Sequence, residues 1–343
     1  MPDRINGKRF LKNICNINKL PEFAFKGTSA EEFSLWQADT VKKLEKILCF
    51  DKIADCELIC EKTEEIDDLK TAGGFEYKRV LWNISTAEGL IMPVYMLVPK
   101  NNGNGIPAIA VHCHGSDGKN GMVGMISEEL SKNRARFTFT YAFDMLEKGY
   151  TVFCPDILGS GSRKSISINR LKESDCTVLN FTLMALGMNL QGVIIWELKK
   201  LIDFIQTMDL DMEKLVCVGF SGGGLETLWL AAMDDRVKTA YISGYFHSLK
   251  MTLLQSNFCG CNFINDLWSI IDLDILAELA APKKLYIETG REDKLNGDDD
   301  LKNVYQLVEN VKNIYEKYFN AEDFKFAVCS GGHRWYGYFL NEF

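Results

Sequence analysis

Six consecutive residues, Gly219-Phe220-Ser221-Gly222-Gly223-Gly224, hold a serine among glycines between the apolar run Leu215-Val216-Cys217-Val218 and a helix-like segment opening Leu225-Glu226-Thr227. A serine on a sharp strand-to-helix turn is a nucleophile held in a strained backbone conformation, and side chains two positions to either side would collide with it. Gly219 and Gly223 remove those collisions. The helix start behind Ser221 offers the N–H of Gly222, and a positive dipole end, to an oxyanion developing during acyl transfer. Glycine and serine usage alone would produce the five-residue pattern in roughly one chain in ten of this length. The flanking strand and helix, and partners in the right chain order, are therefore separate requirements.

Serine needs a base, and the chain has only four histidines, His112, His114, His247 and His333. His333 lies in Cys329-Ser330-Gly331-Gly332-His333 just after the last expected strand, where a loop would return it toward Ser221. The base in turn needs a carboxylate between Ser221 and His333 in sequence. Asp293 follows a strand and a glycine turn in Leu285-Tyr286-Ile287-Glu288-Thr289-Gly290-Arg291-Glu292-Asp293, with Glu288 and Glu292 as rivals and Asp298 a distant third. A second oxyanion donor is expected from the backbone of Gly115 or Ser116, in the loop that closes the strand ending His112-Cys113-His114. Phe220, Tyr245, His247, Trp196 and Trp335 are candidates to line the substrate pocket, although aromatics beside such a core more often pack than bind.

No metal site is expected. Cys259 and Cys261, Cys56 and Cys60, and His112 with His114 could each form half of one, but none has a second pair at structural-zinc spacing or a matching third ligand nearby in sequence. Cys113, Cys154, Cys217 and Cys329 sit in apolar runs and are expected as reduced core residues. No cofactor is called for.

Strands that could position these residues are expected at 77–84, 91–98, 108–113, 151–155, 215–219, 239–243, 285–288 and 324–329, with helices at 137–148, 189–207, 225–233 and 301–318. The fold class is α/β: a mostly parallel eight-stranded sheet flanked by helices, with only the first hairpin breaking the parallel rule. Helical periodicity over 31–65, through Phe33, Trp36, Val41, Leu44, Ile47 and Leu48, predicts an N-terminal helical extension, so residues 1–75 are an extension packed on a catalytic domain of 76–343. Connections at about 158–188 and 246–281 exceed what a crossover needs; such loops at the carboxyl edge bind ligands or form lids, and the second is expected to be a partial cap.

The chain of 343 residues is 47% hydrophobic and 25% charged, enough for a large core. A net charge of −8 argues against a nucleic-acid partner. No apolar run of spanning length and no signal-type N-terminus is visible, so no membrane partner is expected and the expected location is cytoplasmic. The expected partner is a small-molecule or oligosaccharide ester, and a homo-oligomer is compatible with the sequence.

From about residue 75 onward the chain resembles the dienelactone-hydrolase and acetyl-xylan-esterase-like branch of the α/β-hydrolases, and is similar to the glucuronoyl esterases. The likeness rests on the His-Gly after the third strand, Asp156-Ile157-Leu158-Gly159-Ser160-Gly161, Gly192 with Trp196-Glu197, Val218 to Gly224, Ser243-Gly244-Tyr245, Cys261-Asn262-Phe263 and Ala281-Pro282. The resemblance implies the α/β-hydrolase fold and a Ser221, Asp293, His333 triad that hydrolyses a short acyl ester through an acyl-enzyme. Lys294-Leu295-Asn296-Gly297 follows the acid where the family usually has an aromatic or proline, so the pocket wall departs from the pattern. A serine peptidase and a non-catalytic binding protein on the same scaffold are the alternatives.

Overall fold

The computed structural model describes residues 10, 21–114, 117–126, 128, 139–164, 174–249, 259–297 and 300–343. Nine strands form one sheet: β1 (Cys60–Lys70), β2 (Glu76–Ala87), β3 (Leu90–Pro99), β4 (Pro107–Val111), β5 (Thr151–Pro155), β6 (Val216–Phe220), β7 (Thr239–Ser243), β8 (Lys284–Gly290) and β9 (Phe324–Cys329). Their order is β1-β2-β3-β5-β4-β6-β7-β8-β9. The strands from β4 to β9 pair in parallel, whereas β1–β2, β2–β3 and β3–β5 are antiparallel. All eight expected strands are present as β2 to β9. The ninth, β1, lies in the segment read as helical, and the β3–β5 pair is a second departure from the parallel rule.

Seven helices matter to the site: α1 (Ala30–Ile47), α2 (Tyr141–Glu147), α3 (Asp175–Ala185), α4 (Leu190–Ile205), α5 (Gly222–Met233), α6 (Leu273–Ala280) and α7 (Lys302–Tyr318). The central strands are apolar throughout because both faces are covered. Alternate residues divide between two cores. Ile109, Val111, Cys217, Ile242 and Ile287 pack with α4, α5, α6 and α7. Ala108, Ala110, Val216, Val218, Tyr241 and Tyr286 pack with α2 and the C-terminal segment of Trp335 and Phe339.

The N-terminal extension is helical only in part. Ser29 and Glu32 form a reciprocal capping box that starts α1, and Phe33, Thr40 and Leu44 are its buried stripe. Gln37 donates to the carbonyls of Leu279 and Ala281, tying α1 to the end of α6. After Ile47 the helical reading fails, and β1 runs along the sheet edge instead. Its sequence, CEKTEEIDDLK, is mostly exposed and its register slips twice, so it lacks the in-out alternation that marks a half-buried strand. Charged residues are what an edge strand carries to discourage pairing with another chain, and they resemble the solvent face of a helix. Because β1 pairs with β2, the extension is part of the sheet.

Candidate active site

β6 delivers Ser221 to the carboxyl edge with φ 55° and ψ −123°, a left-handed conformation that a residue with a Cβ adopts only under strain. Its N–H is held by the Ser243 carbonyl at 2.8 Å, and its own carbonyl accepts from Leu225 in the first turn of α5. The glycines are needed for close approach. A Cβ on Gly219 would lie 2.0 Å from the Gly223 carbonyl oxygen, and one on Gly223 would lie 1.9 Å from that of Val111. Helix α5 begins at Gly222, three residues earlier than expected. The Gly222 N–H is thereby a first-turn donor with no carbonyl behind it in the helix.

Ser221 Oγ lies 2.8 Å from His333 Nε2, and His333 Nδ1 lies 2.6 Å from Asp293 Oδ2. With its proton on Nδ1, His333 donates to Asp293 and accepts from the serine hydroxyl. The Asp293 side chain is almost fully buried, while that of His333 is 25% exposed and reachable by substrate. The remaining oxygen of Asp293 accepts from Leu295 N–H at 3.0 Å, so the carboxylate also caps the short turn Lys294–Asn296. The Phe220 ring stands 4.7 Å from the imidazole of His333.

Backbone pairing aligns the acid with the base. Beyond the β8–β9 ladder, Arg291 N–H bonds the Cys329 carbonyl and Glu292 N–H bonds the Gly331 carbonyl, so the two loops leave the sheet already joined. A Cβ on Gly290 would come 2.4 Å from the Gly332 carbonyl oxygen, so this approach requires glycine. The rivals to Asp293 have other positions. Glu292 is exposed. Glu288 is fully buried and accepts from Tyr241 OH, Ser243 Oγ and the N–H groups of Tyr336, Gly337 and Tyr338, pinning the segment after His333. Asp298 lies outside the described residues. The anchoring role of Glu288 was not read from sequence, although a carboxylate in an otherwise apolar strand is its signal.

Gly115 and Ser116 also lie outside the described residues, but the flanks of their loop are fixed. His112 is buried and accepts from Ile157 N–H at 3.0 Å, joining the ends of β4 and β5. The fully buried Asp156 accepts from Lys119 N–H and Nζ, both at 2.7 Å, and from Ser162 N–H and Oγ at 3.0 and 2.6 Å. A Cβ on Gly118 or Gly161, both at positive φ, would collide with this carboxylate. Opposing charges and these hydrogen bonds hold the Asp156 carboxyl below its usual range, although burial alone would raise it.

Two pocket expectations are corrected. Trp196 donates to the Thr86 carbonyl at 2.8 Å and packs on Phe50, away from the triad. Trp335 donates to Asp144 and stacks between Tyr141 and Tyr241 in the core. Indole rings bring large apolar area with one polar atom, and both have been used for packing with that atom satisfied. Phe220 stands against His333 and His247 feels the Asp293 charge, whereas Tyr245 packs on His247 and donates to Asn262; all three are buried. Burial pushes the His247 imidazole down to about 4 against the pull of the Asp293 charge, which keeps this second histidine neutral.

The metal expectation needs revision in one respect. His112 and His114 part company, but His114 Nε2 comes 3.3 Å from Cys261 Sγ, and Cys176 Sγ comes 3.3 Å from Cys259 Sγ. The matching ligands absent from the local sequence arrive from the two long connections. All ten cysteines among the described residues are free thiols; Cys113, Cys154 and Cys217 are buried as expected, whereas Cys329 is half-buried. A cleft of about 1030 Å³ lined by Gln37, Lys42, Glu45 and Lys214 is at the opposite edge of the sheet and contains none of Ser221, Asp293 and His333. A smaller one of about 490 Å³ opens where the loops after β4 and β5 meet, beside Asp117, Asn120, Met125, Ile126 and Ser162. No single helix among the described residues is long and apolar enough to cross a membrane.

The model of the Abhydrolase family matches residues 8–327. YtaP of Bacillus subtilis (strain 168), named as a hydrolase, is 26% identical over 148 residues, which are 43% of this chain and 46% of YtaP. The match thus spans less than half of that relative. Among solved structures, a Bacteroides fragilis protein assigned as an acetyl xylan esterase superposes with a TM-score of 0.72 at 18% identity, covering 94% of this chain and 80% of the other. A glucuronoyl esterase from Solibacter usitatus superposes with a TM-score of 0.61 at 14% identity, covering 92% and 93%. At these identities the likeness is one of fold.

Proposed function

The chain belongs to the abhydrolase family, and from that premise we propose that it is a serine esterase that cleaves a short acyl ester through an acyl-enzyme. The observation that carries this reading is the unbroken chain from Ser221 Oγ through His333 to Asp293, at 2.8 and 2.6 Å, with the serine on a strained turn. In the reaction, Ser221 Oγ attacks the ester carbonyl carbon as its proton passes to His333 Nε2. The carbonyl π electrons move onto oxygen, where the Gly222 N–H and a donor from the Gly115–Ser116 loop stabilise the charge. Collapse re-forms the carbonyl, the bond to the alcohol oxygen breaks, and His333 protonates that oxygen. Water then attacks the acyl-enzyme with His333 again as base, releasing the acid and Ser221. Asp293 stays ionised throughout, fixing the tautomer and stabilising the imidazolium.

For the substrate we favour an acetyl or similarly short ester of a sugar or small metabolite. The fold neighbours assigned as acetyl xylan esterase and glucuronoyl esterase both act, by their names, on carbohydrate esters. The test is a panel of acetylated sugars, simple short-chain esters and short peptides, run on wild type and Ser221→Ala. Ester hydrolysis should fall by about a millionfold in the variant. Full activity in Ser221→Ala would end the mechanism, and turnover of peptides in preference to esters would replace the esterase with a peptidase.

A further inference from the structure

We propose that His114, Cys176 and Cys261 form a three-ligand binding site for a thiophilic divalent cation of the Zn²⁺ class, set beside the nucleophile and joining three separate segments of the chain. The ligand atoms of His114, Cys176 and Cys261 all lie within 4.8 Å of one another. Cys259 Sγ, 3.3 Å from Cys176 Sγ, stands beside this group but does not share its mutual spacing. Zn–S bonds near 2.3 Å and Zn–N bonds near 2.0–2.1 Å in a tetrahedron imply ligand-to-ligand separations of about 3.8 Å for S···S and about 3.5 Å for N···S. The observed His114–Cys261 contact of 3.3 Å is within a few tenths of an ångström of the N···S edge. Two thiols and one imidazole are also donors that zinc favours over the oxygen-seeking cations, with a fourth position left open.

The surroundings hold these ligands in place. Cys176 opens α3, and Cys259 and Cys261 flank the short turn Gly260–Asn262 in the second long connection. A Cβ on Gly260 would lie 2.5 Å from Thr177 Cγ2, so only glycine lets the turn settle against α3. Thr177 Oγ1 accepts from Gly260 N–H at 3.1 Å, and Asn180 donates to the carbonyls of Gly260 and Phe263, both at 2.8 Å. The neighbouring Cys259 is itself held by the hydroxyls of Thr177 and Ser174, 3.2 and 3.4 Å from its sulfur. Such outer contacts orient metal ligands and are part of a working site.

Binding releases one proton to solvent from each protonated thiol, while neutral His114 contributes the lone pair of Nε2 and keeps its proton on Nδ1; nothing is oxidised or reduced. The ion would join the loop after β4 to both insertions. His114 also packs on the nucleophile turn: a Cβ on Gly222 would come 2.2 Å from His114 Nδ1. Occupancy therefore fixes the imidazole that borders the oxyanion N–H. Metal binding can be read without any assay of hydrolysis, so its failure and that of the esterase reading are separable.

The experiment titrates reduced, chelator-stripped full-length protein with Co²⁺ as a spectroscopic stand-in for Zn²⁺. One equivalent should give thiolate-to-cobalt charge-transfer absorption with tetrahedral visible bands, displaced by Zn²⁺. Cys176→Ser and Cys261→Ser should weaken binding by roughly a hundredfold or more, whereas Cys60→Ser should match wild type. A second measurement needs no variant. Zn²⁺ should protect Cys176 and Cys261 of the wild-type protein from alkylation, resolved by peptide mass spectrometry, and leave Cys56 and Cys60 unaffected. Absence of the charge-transfer band, its survival in Cys261→Ser, or equal alkylation with and without Zn²⁺ would each overturn the site.

Discussion

The two halves of the site are held by different means. On the acid–base side, Asp293 and His333 leave adjacent parallel strands, and backbone hydrogen bonds continue from the β8–β9 ladder into both loops. Glu288, itself held by the hydroxyls of Tyr241 and Ser243, then fixes the segment beyond His333 through three backbone N–H groups. On the oxyanion side, side chains from distant segments do the holding: Asp156 with Lys119 and Ser162, His112 with Ile157, and His114 against Cys261. In the proposed mechanism a base that takes one proton and delivers it again in each half-reaction needs one fixed geometry, which a backbone ladder supplies. The side built from side chains and insertions can change with the substrate while the ladder stays as it is.

Among changes that test this contrast, the largest effect should come from breaking the ladder side at its charge. Asp293→Asn keeps the shape but allows the wrong imidazole tautomer, and kcat on an acetyl ester should fall by about ten-thousandfold. A loss below tenfold would show that His333 does not depend on this carboxylate. Next in size is Gly290→Ala, whose Cβ meets the immovable Gly332 carbonyl and pushes the His333 loop outward. A displacement near 1 Å should reduce kcat about a hundredfold with little change in KM. The matched change on the other side is Gly222→Ala, which meets the imidazole of His114 rather than backbone. A ring can turn aside at a cost of about 1 kcal/mol, so the loss should be about tenfold or less. Equal losses from the two alanines would remove the contrast.

The same contrast governs what could be read from sequence. Ser221, Asp293 and His333 each follow a strand directly, so their positions are set by local pattern plus the chain order of the fold. Glu288 is in such a strand too, but its partners at Tyr336, Gly337 and Tyr338 are 48 to 50 residues away, and only the structure reveals that it is an anchor. The cluster around His114 was the least legible, because its contacts join residues 83 and 147 apart in sequence. The cysteine pattern alone contains no zinc spacing. Trp196 and Trp335 were misassigned because an aromatic's type does not say which face of an element it occupies. β1 was misread because an edge strand with charges on both faces has no period of two.

The smallest expected effect on turnover belongs to a buried residue of the nucleophile helix. Glu226, on α5, is buried and accepts from Gln191 of α4. Burial raises its carboxyl to about 8, with the Gln191 hydrogen bond working in the opposite direction. Below the usual carboxyl range of about 4.5 both folded and unfolded states hold the proton and Glu226 imposes no pH-dependent cost. Between there and about 8 the unfolded state is ionised while the folded state keeps the proton, so stability declines as pH rises, by about 1.4 kcal/mol per unit from this group. Above about 8 the loss levels off. Glu226→Gln retains an acceptor for Gln191 and has no proton to lose. Its stability advantage over wild type should therefore grow from near zero at pH 4.5 to on the order of 3 kcal/mol at pH 7, with kcat within about twofold. Urea unfolding at pH 5, 6, 7 and 8 measures this directly. An advantage of the same size at every pH would mean that Glu226 is charged in the folded protein, and that the nucleophile helix rests on a buried ion rather than a neutral acid.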